Sequence, residues 1–384
     1  MCCAISVNAQ SVALNTLTSA RNDLKLRTDS LFKNLNYNDA RSLQLAFWSV
    51  VAYNGWDKPE QNFIANLMKR MDNLSAINQY KLTAIVARNK PDGWQGFLRK
   101  TLKSEDDKLA VLSYHALRES SDTDIPHPKV KNAYWKDILR DLDNNVHRQV
   151  LDQKEIWEIV RYLRRNAPDA YHIIVLADPD RKIPAQLYLL LPGSNNQYAV
   201  HGPYDYLLYS MYNLLPYFTY GHSPCGVYKI FNRDFSKNEF IGPTETLWTA
   251  VPFEIKPNRW DSKETRWTPE LYRSFMPESL HNSPLMWQAY RAGAVGRYDM
   301  IIHGATIDPE NFRKEPFYPL TPSIGCLSAL ELWDGETGKP TVSHQEELMK
   351  LIPDKASPVK AGFMYVLQVK DNTKININSL IQYE

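Results

Sequence analysis

At 384 residues, with 43% hydrophobic and 23% charged side chains, the chain has globular composition and is long enough for two domains. Its formal net charge is only +2, with acidic and basic residues interspersed, and no long basic run argues for nucleic acid or an anionic membrane as partner.

In chain order, Met1 to Gln10 reads as the end of a secretory leader, with Val7 and Ala9 as the small residues before a cut ahead of Gln10. The basic and most of the apolar part of such a leader are missing, so either translation starts upstream or the match is accidental. Export to the periplasm or cell envelope is the expectation, with residues 1–9 as the leader remnant. Lipidation at Cys2 or Cys3 is the weaker reading, because no full apolar stretch leads into them. No later run of about 18 apolar residues occurs, so no transmembrane helix is expected.

Residues 18–168 read as helical. Leu43, Phe47, Val50 and Val51 recur at helical spacing, as do Phe63, Ile64, Leu67 and Met71. Segments 41–52, 77–88 and 106–117 look alike, and each is followed by a second predicted helix, at 61–71, 93–102 and 130–142. Ser104 is the expected N-cap of the 106–117 helix. Such pairs point to an α-solenoid or a bundle, and the stretch Leu102 to Leu112 resembles a HEAT-type repeat. The helical region is expected to position the enzyme or recruit a protein partner.

Near residue 170 the character changes to strands, predicted at 171–176, 186–191, 226–231, 246–251, 299–303 and 362–369. One short helix is predicted from Ser343, with Glu346 completing a capping box. The fold class is therefore multidomain α+β, with a helical N-terminal domain followed by a mostly β domain over 169–384. The 22 tyrosines and 10 tryptophans suit either a large core or a binding face. The aromatic tract from His201 to Tyr220 is expected to be a core-packing helix, with a lid or glycan-stacking face as the alternative.

Two segments carry chemistry. Ile301-Ile302-His303-Gly304-Ala305 is an apolar run delivering a histidine beside a glycine. Pro322-Ser323-Ile324-Gly325-Cys326-Leu327 presents a cysteine after a glycine. A thiol attacks as thiolate and an imidazole can take its proton, while glycine permits a tight turn with amides aimed at an oxyanion. On residue types alone, a buried cysteine and a strand-end histidine are equally ordinary structural residues.

His-Gly, a loop, then Ser-x-Gly-Cys resembles the signature of the YkuD-type L,D-transpeptidase domain. Ser223-Pro224-Cys225-Gly226-Val227-Tyr228 is similar to the stretch that precedes that signature. The likeness spans residues 184–370 and leaves the helical region outside. It implies Cys326 as nucleophile and His303 as general base, later acid. Gly325 and Ser323 would shape the nucleophile loop, the Cys326 amide with Gly325 nearby would bind the oxyanion, and the Gly304 carbonyl would orient the imidazole. The implied substrates are peptidoglycan stem peptides, and the implied activity is transpeptidation or L,D-carboxypeptidation. Relative to the family, 308–319 is an insertion whose Phe312, Arg313, Lys314, Phe317 and Tyr318 form either a substrate grip or a solvated loop. Arg313, Tyr318 and Tyr228 are the candidate substrate contacts, although Tyr228, like Pro224 and Gly226, reads equally as scaffold. Ile324 stands where the family often has a basic residue, and Ser328 where it commonly has Arg or Asn. These departures admit a different reading, a non-catalytic envelope-binding protein; a Cys–His peptidase of unrelated fold is a third.

Cys225 either pairs with Cys326 in a regulatory disulfide or is a small buried side chain. His222 adjoins the upstream motif, and the pair His201-Gly202 lacks a following Ser-x-Gly-Cys. Nothing reads as Cys-x-x-Cys, His-Glu-x-x-His, a Walker loop or a Gly-x-Ser-x-Gly elbow, so no metal or cofactor is expected.

Overall fold

The computed structural model describes residues 32, 35–37, 39–52, 56–120, 124–194, 197–236, 241, 244–260, 263–304, 320, 322–333, 340–354, 356–375 and 377. The leader expected at 1–9, Cys2 and Cys3, and the whole 308–319 insertion with Phe312, Arg313, Lys314, Phe317 and Tyr318 lie outside the described residues. The chain is α+β. It divides into two compact units, Met1–Leu142 with Met211–Leu214, and Asp143–Ser210 with Leu215–Glu384.

In the first unit the helices are α1 (Ala40–Ala52), α2 (Lys58–Lys69), α3 (Ala76–Asn89), α4 (Trp94–Thr101) and α5 (Asp107–Arg118), with α6 (Ala133–Asp143) reaching its end. The apolar stripe of α1 is buried at Leu43, Phe47, Val50 and Val51, and that of α2 at Phe63, Ile64 and Leu67. Helix α3 packs against α4 and α5, and α4 against α5. A buried hydrogen bond between Thr101 Oγ1 and Ser113 Oγ, 2.6 Å, ties α4 to α5. The N-cap of α5 is Asp106, which accepts from the amides of Lys108 and Leu109. Ser104, the expected cap, instead accepts from the amide of Asp106 at 3.1 Å. The carboxylate nearer the first turn satisfies the orphan amides better than a hydroxyl two residues back.

The second unit is a closed eight-stranded barrel, ordered β1–β10–β4–β5–β6–β7–β3–β2. Its strands are β1 (Ala170–Ala177), β2 (Ala185–Pro192), β3 (Tyr198–Leu207), β4 (Gly226–Asp234), β5 (Thr246–Ala250), β6 (Ile301–His303), β7 (Leu327–Ala329) and β10 (Lys360–Gln368). A separate hairpin pairs β8 (Glu331–Trp333) with β9 (Pro340–Ser343). Strand β1 is buried from Tyr171 to Ala177, consistent with its continuous apolar run between β10 and β2. Pairing is antiparallel around the barrel except at β1–β10 and β6–β7, which run parallel. Both parallel pairs join segments that are distant in sequence.

Helices are more numerous here than expected. α7 (Gln153–Asn166) opens with a full capping box between Asp152 and Glu155, and α8 (Pro269–Arg273) and α9 (Gln288–Ala294) lie in the connection before β6. α9 packs against β4, and α10 (His344–Leu351) packs against β3 and β5. Ser343 Oγ accepts from the Glu346 amide at 2.9 Å, starting α10 where expected. The tract from His201 to Tyr220 is not a helix. It supplies the end of β3 and then runs through turns to β4. The pattern Tyr204-Asp205-Tyr206, with both tyrosines buried and Asp205 between them less so, has the period of two that a strand requires. Density of aromatic side chains is not periodicity.

His172 on β1 is fully buried. Its Nδ1 accepts from the Phe363 amide at 3.1 Å, and its Nε2 faces the Ala167 carbonyl at 3.1 Å. Burial first, and the nearby Lys229 charge, lower its pKa from 6.5 to about 4, against the pull of the backbone partners. Below 6.5 the unfolded chain therefore takes up a proton that the folded chain refuses. This contribution is complete above pH 6.5 and fades as pH falls towards 4. In urea titrations, unfolding free energy should fall across that window by roughly 3 kcal/mol more in the wild type than in His172→Gln. Equal pH slopes in the two proteins would refute the assignment.

Candidate functional site

His303 ends β6, and Cys326 immediately precedes β7. The parallel register pairs Ile302 with Leu327 and His303 with Ser328. Cys326 lies two residues before Ser328, just outside β7, in the turn that leads into the strand. The strand pair sets side by side the two chain segments that carry His303 and Cys326, 23 positions apart in sequence.

His303 is 2% exposed. Its Nδ1 lies 2.7 Å from the Gly304 carbonyl oxygen, so Nδ1 carries the proton and donates it, leaving Nε2 as the acceptor. Burial lowers the imidazole pKa to about 4, outweighing the Gly304 bond, and the ring is neutral at pH 7. Ser328 Oγ also donates to the Gly304 carbonyl, at 3.4 Å.

Gly304 has to be glycine for a packing reason. A Cβ there would sit 2.2 Å from Glu331 Oε2 and 2.3 Å from Thr244 Oγ1. The Glu331 carboxylate is buried and pinned, its Oε1 accepting from Thr244 Oγ1 at 2.9 Å and from Ser343 Oγ at 2.6 Å. Gly325 has φ +127°, and a Cβ there would meet Arg297 Nη2 at 2.4 Å. Both of the turn's special demands fall on that one residue.

Ser323 is buried and belongs to the turn. Its hydroxyl donates to the Cys326 carbonyl at 2.8 Å and accepts from the Gly325 amide at 3.0 Å. That bond holds the Gly325 amide within the turn. From the other side, Ser223 Oγ donates to the Gly325 carbonyl at 3.0 Å.

Cys326 keeps part of its surface exposed and is a free thiol. Its Sγ donates to the Asp299 carbonyl at 3.3 Å. Among the described residues no hydrogen bond joins Sγ to the imidazole. Crowding of the sulfur pushes the thiol pKa up to about 11; the Ile301 backbone and the Arg297 charge pull it down, and Asp299 and Glu254 push it further up. Thiol and imidazole therefore rest as a neutral pair.

Cys225 is fully buried, its Sγ accepting from Arg181 Nη2 at 3.2 Å, so it forms no disulfide with Cys326. Tyr228 is not a substrate contact. It is completely buried on β4, and its hydroxyl donates to the Pro224 carbonyl at 2.5 Å. His222 is buried beside the site, accepts from the Ser210 amide at 2.9 Å, and is held well below its usual pKa by burial and by the Arg181, Arg297 and Lys182 charges. Ser223 belongs to the upstream motif, whereas Arg297, Glu331 and Asp299, which touch Gly325, Gly304 and Cys326, carry no local sequence signature. Their placement depends on barrel closure.

Among the described residues no group of three or more His, Cys, Asp or Glu side chains is arranged to hold a metal ion, and no helix is long and apolar enough to cross a membrane. Compared with family models, curated proteins and solved structures, the chain matches none of them.

Gly304→Ala should lower stability by about 2–4 kcal/mol, because the methyl must displace a pinned buried carboxylate. A thermal melt within a degree of wild type would contradict this packing.

Proposed function

We propose that this chain is a cysteine acyltransferase of L,D-transpeptidase type, acting in the cell envelope on peptidoglycan stem peptides. The observation that supports the reading is the β6–β7 pairing, which sets His303 opposite Ser328 with Cys326 in the turn two residues before it, together with the Nε2 left as the imidazole's acceptor. The Cys326 sulfur attacks the carbonyl carbon of the diaminopimelate-type residue while His303 Nε2 takes the thiol proton. The carbon–nitrogen bond to the terminal D-amino acid then breaks, and the imidazolium returns its proton to the departing amine. An acceptor amine attacks the thioester, gives its proton to His303, and the sulfur leaves. Water in place of the amine makes the same site a carboxypeptidase. The Cys326 amide is the oxyanion donor in this scheme. The helical unit, read as HEAT-like, recruits or positions, and the residue 1–9 segment belongs to an export leader.

One observation favours a second reading, a non-catalytic envelope-binding protein. The thiol is spent on the Asp299 carbonyl and pushed up to about 11, which suits a structural cysteine.

A carbapenem separates the two. Wild type should gain one adduct mass on incubation and Cys326→Ala none, with His303→Ala slowed by about 100-fold or more. An unmodified wild type leaves the binding reading. Defined muropeptides then distinguish cross-linking from trimming.

A further inference from the structure

The Arg297 guanidinium is 4% exposed and lies against the Gly325–Cys326 turn. Nη1 donates to the carbonyls of Pro216 and His222, the latter at 2.5 Å, and Nη2 donates to Gly221 at 2.6 Å. The chain that carries these three carbonyls also presents Ser223, whose hydroxyl holds the Gly325 carbonyl. The cation is thus clamped between the loop before β4 and the nucleophile turn, and Nη2 occupies the space where any side chain at position 325 would stand. We infer that Arg297 is the positioning residue of the nucleophile: it locks the Gly325–Cys326 turn onto the 216–222 loop and supplies the buried positive charge against which a Cys326 thiolate forms.

The charges that face the sulfur bear this out in sign. Asp299 and Glu254 oppose ionisation of Cys326 and Arg297 favours it. His303, on the paired strand, is neutral and adds no charge. The inference concerns the thiol and not the substrate, so it stands or falls separately from the transpeptidase reading.

Iodoacetamide alkylation of the full chain tests it, with the Cys326 peptide followed by mass mapping because Cys2, Cys3 and Cys225 are also present. The pH dependence of the rate is recorded for wild type, Arg297→Lys and Arg297→Gln. Lysine keeps the charge; glutamine keeps donors to the carbonyls and loses it. Alkylation of Arg297→Gln at pH 9 should fall about tenfold, with its inflection displaced to higher pH by about one unit, while Arg297→Lys stays near wild type. A folded Arg297→Gln with the wild-type profile overturns the proposal, as does a Lys variant as slow as the Gln variant. If both variants fail to fold, the guanidinium is an architectural clamp only, and that outcome overturns the role in ionisation too.

Discussion

The site depends on the parallel pairing of two three-residue strands where the barrel closes. β6 and β7 share only the pairs Ile302–Leu327 and His303–Ser328. A slip of one residue would turn Cys326 to the opposite face from its present neighbours. So short a ladder cannot hold its own register. It is held from outside, by Ser323 bridging the Gly325 amide and the Cys326 carbonyl, and by Ser223 and Arg297 against the same turn. On the other strand Glu331 fills the space above Gly304. The polar groups around the pair therefore act first as a frame that sets the geometry.

Burial acts on the two central groups in opposite directions and with one result. It lowers the imidazole to about 4 and raises the thiol to about 11, so each prefers its uncharged form. Burial thus disfavours a preformed thiolate–imidazolium pair on both sides. On the proposed chemistry, proton transfer accompanies attack on a bound carbonyl, with Nε2 as acceptor. The Arg297 charge offsets the burial of the sulfur, and the carboxylates of Asp299 and Glu254 work against it.

Much of the architecture was legible in local pattern. The six helices predicted between residues 41 and 142 are present because stripes such as Leu43–Phe47–Val50 bury one face, and β1, β2, β4, β5, β6 and β10 fall in apolar runs. β3 was missed because aromatic richness hid the alternation at Tyr204 and Tyr206, and α8 and α9 because they are too short for periodicity to accumulate. Ser104 and Asp106 compete for one cap, and spacing alone does not rank them. In the site, His303, Gly304, Ser323, Gly325 and Cys326 stood out because adjacent residue types encode a turn and a strand end. Arg297 and Glu331 did not. A buried ion is recognisable only through the distant carbonyls and hydroxyls that satisfy it, and these come from residues 216–222, from Thr244 and from Ser343.

The two departures from the transpeptidase pattern land in different physical settings, which bears on what each would change. Ser328 is fully buried, and its hydroxyl reaches the same Gly304 carbonyl that fixes the imidazole. A long basic side chain there would place a charge in the packed layer beside His303, so serine suits a frame already holding the buried cation of Arg297. Ile324 is 47% exposed, two residues before the sulfur. Its replacement of a basic residue leaves the geometry of Cys326 alone and removes a positive charge from the approach to it. On the transpeptidase reading, the first departure is absorbed by the fold and the second alters what the site can attract. A difference in substrate charge then follows more directly from this sequence than a loss of chemistry.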